Sequence, residues 1–452
     1  MLGAMNFVSE ETRRNPFPDY ERMRESAPVF QDPHTGMWMI FDYDGVKRAL
    51  NENEEFSSNL WATANQPTPQ WLIFFDPPRH TKLRALIMRA FTPRMVAGLE
   101  PRIRQLSGEL LDRLGDGEQI DLAAGYSVPL PLMVIAEMIG VPASDWPRFR
   151  CWSDIILRLS FTGFDSEEVQ RIRGEYSAMT EEMKTYLPLL IAQRRAAPAD
   201  DLLTRLVEAE VDGERLSEDE ILAFVQLLLV GGNETTANLI NNAVLCFIEN
   251  PDQLGRLRAS PELLAPAIEE VLRYRSPFQY TYRATRRDVE ISGRVIAAGK
   301  IVLAVIGSAN YDPRVFAAPE RFDIAREPNP HLAFGRGIHF CLGAALTRLE
   351  ARVALADLLS RFERFELANN EPWQPRKALH VHGPAQLWLA GTARSCTASA
   401  SRGEVARLTS FRSRPWGFRN GRPSRPANYR TWLRTSTCSK LELTSEIQIV
   451  RL

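Results

Sequence analysis

The run Phe334-Gly335-Arg336-Gly337-Ile338-His339-Phe340-Cys341-Leu342-Gly343 constrains this chain more than any other stretch. One cysteine lies between glycines, just ahead of an apolar helical pattern at Leu342, Ala345, Leu346, Leu349 and Val353. A thiolate placed before a helix N-terminus is stabilised by the positive end of the dipole and by free backbone N–H groups. Gly335 and Gly337 permit backbone angles and close approaches that side chains block. The run reads as a socket for an anionic sulfur ligand beneath a flat cofactor. Taken alone, the cysteine would instead read as a buried free thiol at a helix start. Other stretches decide between these readings.

Ser217-Glu218-Asp219-Glu220 predicts a helix start, with Ser217 at the N-cap and Glu220 closing a capping box. Ile221 to Val230 is apolar except for Gln226, which suggests a buried core helix too short to span a membrane. Polarity then arrives abruptly at Gly231-Gly232-Asn233-Glu234-Thr235-Thr236. Each glycine weakens a helix by ~1 kcal/mol relative to alanine, and a buried carboxylate is costly unless solvated or paired. Such a breach of local rules is what functional positions show. Gly231 and Gly232 would let a flat ligand approach the backbone, a bulge would admit water, and Glu234 and Thr235 could relay protons. A helix kink with a hydrogen-bonded threonine is the alternative. In Asp76-Pro77-Pro78-Arg79-His80-Thr81-Lys82-Leu83-Arg84 two prolines set a helix start. His80 and Arg84 then share a face and could grip one anion, although a solvated helix face has the same spacing. Glu270 and Arg273 also share a face; as a surface pair they would contribute only ~0–1 kcal/mol.

These four runs, in their chain order from Asp76 to Gly343, resemble the cytochrome P-450 family. Phe334 to Gly343 matches its Phe-Gly-x-Gly-x-His-x-Cys-x-Gly signature residue for residue, and the resemblance extends over about residues 7 to 392. It implies a mainly α fold with small β-sheets (α+β), with haem between a long central helix and the cysteine-loop helix. It implies haem b, iron protoporphyrin IX, with Cys341 as the axial thiolate that favours O–O cleavage. His80, Arg84, Arg283 and His339 would meet the propionates, while Phe334, Gly335, Gly343, Gly231 and Gly232 would line the cofactor. Glu234 and Thr235 fall on the family's acid–alcohol pair, which delivers protons to oxygen. Glu270 and Arg273 would be buried, joined by Arg321, and would hold the loop carrying Cys341. Trp61, Trp71, Leu228, Phe278 and Gln279 fall where the substrate pocket passes.

The implied activity is a haem-thiolate monooxygenase. It would insert one atom of O2 into an apolar small molecule by hydroxylation or epoxidation. No flavin or iron–sulfur module is fused to the chain, so electrons would come from a ferredoxin and its reductase. Basic residues on the cysteine side, Arg336 among them, would dock that donor. A peroxide-driven oxidase is one rival, but such relatives often lack the acid–alcohol pair. A non-enzymatic haem sensor is another, and it gives no reason for Glu234-Thr235 inside a core helix.

Composition narrows the remaining choices. A net charge of −1 gives no global case for nucleic acid or an anionic membrane as partner. Five cysteines, an odd number without tight spacing, argue against a disulfide framework and for a reducing compartment. Met1 to Tyr20 lacks an apolar core flanked by basic residues, so neither signal peptide nor membrane anchor is expected and a cytoplasmic location follows. Residues 1–394 form the expected haem domain. The segment 395–452 is different: ten Arg and one Lys against three Glu give it a charge of about +8, leaving about −9 on the remainder. It is rich in Ser, Thr, Arg and Pro, and its composition predicts disorder. A functionless extension or a shifted reading frame would account for it as well as a basic binding arm.

Overall fold

Ser217 opens the helix around which the rest is packed. The computed structural model describes residues 9–63, 68–115, 119–159, 167–369, 371–376 and 378–393. The segment 395–452, expected to be a separate disordered arm, lies outside them. The central helix runs unbroken over Glu218–Glu249. Its capping box forms as expected: Glu220 N–H donates to Ser217 Oγ at 3.2 Å, and Ser217 N–H donates to Glu220 Oε2 at 2.9 Å. Helices Pro129–Ile139, Trp146–Leu159, Glu167–Ala196, Leu264–Tyr274 and Ala344–Arg361 pack on it. Most of its residues are buried, which explains why Ile221 to Val230 carries no polar face. The bulge anticipated at Gly231-Gly232 is absent; the helix continues through both.

The β content is small and lies to one side. The largest sheet orders Val29–Gln31, Trp38–Ile40, Ile301–Ala304, Thr281–Thr285 and Phe56–Ser57. Trp38–Ile40 and Ile301–Ala304 pair in parallel, and the other pairs are antiparallel. The first hairpin was legible from the Asp32–Gly36 turn. There the Asp32 carboxylate accepts N–H bonds from His34 and Thr35. Among the described cysteines, Cys246 and Cys341 are free.

One polar cluster fixes the irregular segment between the sheet and the cysteine loop. Glu270 and Arg273 are both fully buried and joined bidentately at 2.8 Å. Arg273 also donates to the carbonyls of Asn310, Pro319 and Arg321. The third member is not Arg321, whose part here is a backbone carbonyl. Arg326 takes the place: its Nε lies 3.1 Å from both Glu270 oxygens, and its Nη atoms donate to Ala317, Ala318 and Arg321 carbonyls. Sequence position favoured Arg321 because it follows Pro319-Glu320, but the chain turns again before its carboxylate partner is reached. Removing one partner of a buried pair strands the other charge at a cost of ~3–5 kcal/mol. Glu270→Ala and Arg326→Ala should therefore lower the chemical unfolding midpoint markedly, while Arg321→Ala should be close to neutral. Equal losses in the two arginine variants would refute this assignment.

Candidate functional site

The cysteine loop owes its shape to two glycines. Gly335 and Gly337 have φ of +68° and +69°, a region that L side chains rarely enter. Gly337 also abuts the end of the Tyr43–Asn51 helix, where an added Cβ would lie 2.9 Å from the Leu50 carbonyl oxygen. Gly335 meets no such neighbour, its nearest atom being 3.9 Å away. Cys341 N–H donates to the Phe334 carbonyl at 2.9 Å, which closes the loop. The thiol then sits two residues before Gly343, the N-cap of the Ala344–Arg361 helix. Burial raises its pKa, while the N–H groups of Gly343 and Ala344, with Arg84 and Arg348, favour the thiolate.

The loop is tied down by the carboxylate next to Glu270. Glu269 accepts from Arg348 Nε and Nη2 at 2.7 and 2.8 Å and pairs with His331 Nε2 at 3.0 Å. His331 Nδ1 accepts the Ala333 N–H, so Nε2 carries the proton given to Glu269. Burial opposes ionisation of Glu269, yet Arg348 and His331 hold its pKa down to about 2. The Arg348 guanidinium lies 4.4 Å over the Phe334 ring, at the start of the loop.

Four groups able to carry positive charge converge beside this loop. Pro77 and Pro78 precede the Arg79–Ala90 helix, which puts His80 and Arg84 on one face. Arg84 Nη2 donates to the Phe340 carbonyl at 2.7 Å. The His80 ring meets the His339 ring edge-on at 4.4 Å. Arg283, buried in its strand, donates only to Tyr282 O and Thr281 Oγ1 among the described residues. Burial draws His80 down to about 4, helped by Arg84. It draws His339 to about 2, helped by Arg283, His80 and Arg84. Burial also lowers Arg283 to about 10. Among the described residues neither Arg84 nor Arg283 has an ion-pair carboxylate, and both nitrogens of His80 and Nε2 of His339 are buried without a partner. Arginines without a carboxylate and buried ring nitrogens without a partner fit an anionic group that brings its own oxygens.

The central helix divides the work of its two glycines. Gly231 is exposed with open space where a Cβ would stand, on the face of Thr235 and Leu228. Gly232 instead faces Ile135, whose Cδ1 an added Cβ would meet at 2.8 Å. Close packing of the two helices therefore requires a glycine here. Thr235 Oγ1 donates to the Gly231 carbonyl at 2.6 Å. Glu234 is buried, with Arg376 Nε 3.9 Å away. Burial raises its pKa, Arg376 lowers it and Asp154 raises it.

The pocket candidates part company. Trp61 and Trp71 both pack on Phe74, at 4.3 Å edge-on and 5.8 Å stacked. Trp71 Nε1 donates to Gln226 Oε1 at 3.0 Å, which accounts for the one polar residue in the apolar run. Leu228 and Phe278 are half-buried. Gln279 is withdrawn from any pocket wall: its Oε1 accepts from Tyr20 Oη at 2.9 Å and its Nε2 donates to Ser276 O at 2.7 Å. Polar character alone could not tell a substrate contact from this buried brace. Phe74, Arg348 and Arg376 were missed, since no motif marks them. Because Gly337→Ala adds a backbone clash to the strain both substitutions share, it should destabilise the protein more than Gly335→Ala. Thermal unfolding of the two variants reads this directly, and the reverse order would count against the loop geometry.

No helix among the described residues is long and apolar enough to cross a membrane. The Cytochrome P450 family model matches residues 165–386. Putative cytochrome P450 YjiB of Bacillus subtilis (strain 168) is 42% identical over 369 residues, covering 81% of this chain and 92% of the relative. Cytochrome P450 monooxygenase PikC of Streptomyces venezuelae is 39% identical over 375 residues, covering 80% and 86%. The crystal structure of CYP109E1 from Bacillus megaterium in complex with corticosterone superposes with a TM-score of 0.78 at 41% identity, covering 84% of this chain and 99% of that one. This chain belongs to the cytochrome P450 family, and it is a monooxygenase that acts on a small-molecule substrate with O2 and redox partners.

Proposed function

We propose that Cys341 is the axial thiolate of a haem b held between the cysteine loop and the central helix. The observation that carries this is the group beside Cys341: two arginines with no carboxylate partner among the described residues, and the partnerless buried ring nitrogens of His80 and His339. Arg84, Arg283, His80 and His339 would bind the two propionates, and their desolvation is offset only when such anions are present. The exposed backbone at Gly231 leaves room for the flat face of the ring. When bound, the haem supplies the activation of dioxygen and the oxidation of a C–H or C=C bond.

The protein's own residues control protons and position. Glu234 is the proton-holding group, and Thr235 lies one residue on, facing the open side. Thr235 Oγ1 gives its own proton to the Gly231 carbonyl, so its lone pairs remain free to accept from water or ligand. Trp61, Phe74 and Trp71 form an aromatic roof, with Leu228 and Phe278 on the walls. An apolar substrate of hydroxylation or epoxidation suits these surfaces, and the steroid complex of CYP109E1 makes steroids a reasonable first panel. A ferredoxin and its reductase are the proposed electron donors. Arg336 and the 43% exposed Phe340 ring offer them a basic rim and an apolar contact on the cysteine side.

Visible absorption of the purified ferric protein tests the core of this reading. A thiolate-haem spectrum should appear, shift towards high spin with an apolar ligand class, and vanish in Cys341→Ser. Retention of the thiolate signature in that variant would overturn the assignment. Reduction by ferredoxin should slow as ionic strength rises, and Arg336→Glu should slow it further at low salt. A rate indifferent to both salt and substitution would remove the docking surface.

A further inference from the structure

Three elements meet on the amide of Gln226, the one polar side chain in the buried run Ile221 to Val230. Trp71 Nε1 donates to it at 3.0 Å, a full hydrogen bond. An indole nitrogen only donates, so the amide must turn its oxygen to Trp71. Its Nε2 is then left facing the Glu167–Ala196 helix, with Thr180 Oγ1 at 3.5 Å and Met183 Sδ at 3.8 Å. The first lies at the limit of a hydrogen bond, and a thioether is a weak acceptor. The amide therefore holds Trp71 firmly and the neighbouring helix loosely. Leu228 stands two residues on, about 200° around the helix axis. Gln226 thus grips Trp71 from a face other than the one shared by Leu228, Gly231 and Thr235.

Trp71 leads into the short 3₁₀ turn Leu72–Phe74, which has no side-chain cap. At three residues per turn, positions three apart eclipse. Trp71 accordingly stacks on Phe74 with ring planes 8° apart, and Phe74 meets Trp61 edge-on. Leu72 and Phe75 make a second, buried edge. Ile73 alone makes the third, and it is 41% exposed. The backbone bonds Phe74 N–H to Trp71 O and Phe75 N–H to Leu72 O hold the shape of the turn, not its rotation. Apolar burial of Leu72 and Phe75 is non-directional. The directional tie is the bond from Trp71 to Gln226.

We propose that Gln226 is a positioning residue that sets substrate specificity: by pinning Trp71 it fixes the rotation of the Leu72–Phe74 turn, and so the placement of Phe74 and Ile73 over an apolar substrate. The inference rests on the reading of Trp61, Phe74 and Trp71 as the roof of the pocket. With Trp71 seated, the indole N–H and the amide oxygen satisfy each other away from water. Rotating the turn would strand a donor and an acceptor together, and the flanking Val225 and Leu227 side chains offer no replacement. One rotation is therefore favoured over its neighbours. A roof fixed in this way presents one surface and holds a rigid apolar ligand in one orientation. A roof freed from Gln226 would bind the same ligand more loosely.

The test uses the full-length holoenzyme and two probes that bind through the same nitrogen, imidazole and a biphenylyl-substituted imidazole. Only the second is long enough to meet the roof. Visible absorption gives a dissociation constant for each, and their ratio isolates the contribution of the pocket from that of the iron. Gln226→Leu strands the indole N–H and Trp71→Phe strands the amide oxygen. Each should weaken the biphenylyl probe about tenfold and leave imidazole unchanged. The double variant removes both partners and should return to within about threefold of the parent, because neither group is then left unpaired. Thr180→Val should change the ratio less than about twofold, since its contact is marginal. A purely structural role would lower the thermal unfolding midpoint and leave the ratio where it was. Trp61→Ala and Phe74→Ala separate the two levels of the reading. If these change the ratio while Gln226→Leu and Trp71→Phe do not, or if the double variant is as weak as the weaker single one, the inference fails and the roof stands. If Trp61→Ala and Phe74→Ala also leave the ratio unchanged, the roof reading fails and the inference falls with it.

Discussion

The Leu264–Tyr274 helix presents two adjacent carboxylates about 100° apart around its axis, and the cysteine loop depends on both. Glu270 points inward to Arg273 and Arg326, and through them gathers the carbonyls of residues 310 to 321. Glu269 points to His331 and Arg348, and so to Phe334 and the first turn of the next helix. The segment between sheet and loop has almost no regular structure of its own. Its backbone acceptors must be satisfied somewhere, and guanidinium groups with five donors each do it. A buried ion pair contributes little net stability compared with apolar packing. What this one supplies is position: a loop without a ladder of backbone bonds is held where Cys341 must stand.

The central helix solves a different problem. A helix enclosed by five neighbours can expose function only through the residues it leaves small. Gly232 spends its missing side chain on close packing under Ile135, and Gly231, one residue away, leaves open space. Thr235 adds its hydroxyl to the Gly231 carbonyl, and the helix stays continuous through both. The cost of two glycines is met by the packing on all sides, and no bulge is needed to present Glu234 and Thr235.

Sequence made the local features legible because they are set by neighbours in the chain. The capping box at Ser217, the first hairpin, the positive-φ glycines and the i, i+3 pairing of Glu270 with Arg273 all follow from short spacing. Contacts between distant segments were not legible in the same way. Arg321 and Arg326 are equally plausible partners on paper, and only the turn between them decides which side chain faces Glu270. Gln279 looked like a polar wall residue until Tyr20, 259 positions earlier, was found bonded to it. Arg376 lies 142 positions after Glu234 and belongs to no motif, yet among the described residues it is the cation within ion-pair distance of that acid.

The two sides of the site carry opposite electrostatic logic. Beside the cysteine loop, Arg84 and Arg283 lack carboxylates among the described residues, and burial favours the neutral rings of His80 and His339 over the charged ones. A group bearing two negative charges would be welcomed there, because among the described residues the two arginines meet only neutral acceptors. Around Glu234 the arrangement is reversed. Glu234 is buried with one arginine at 3.9 Å, too far for a hydrogen bond. Close complementarity suits a fixed anionic group, whereas a loosely paired buried carboxyl is free to change its protonation. A single chain needs both, and it keeps them apart by building the first on the loop and the Arg79–Ala90 helix and the second where the central helix meets Trp146–Leu159 and the hairpin of Arg376.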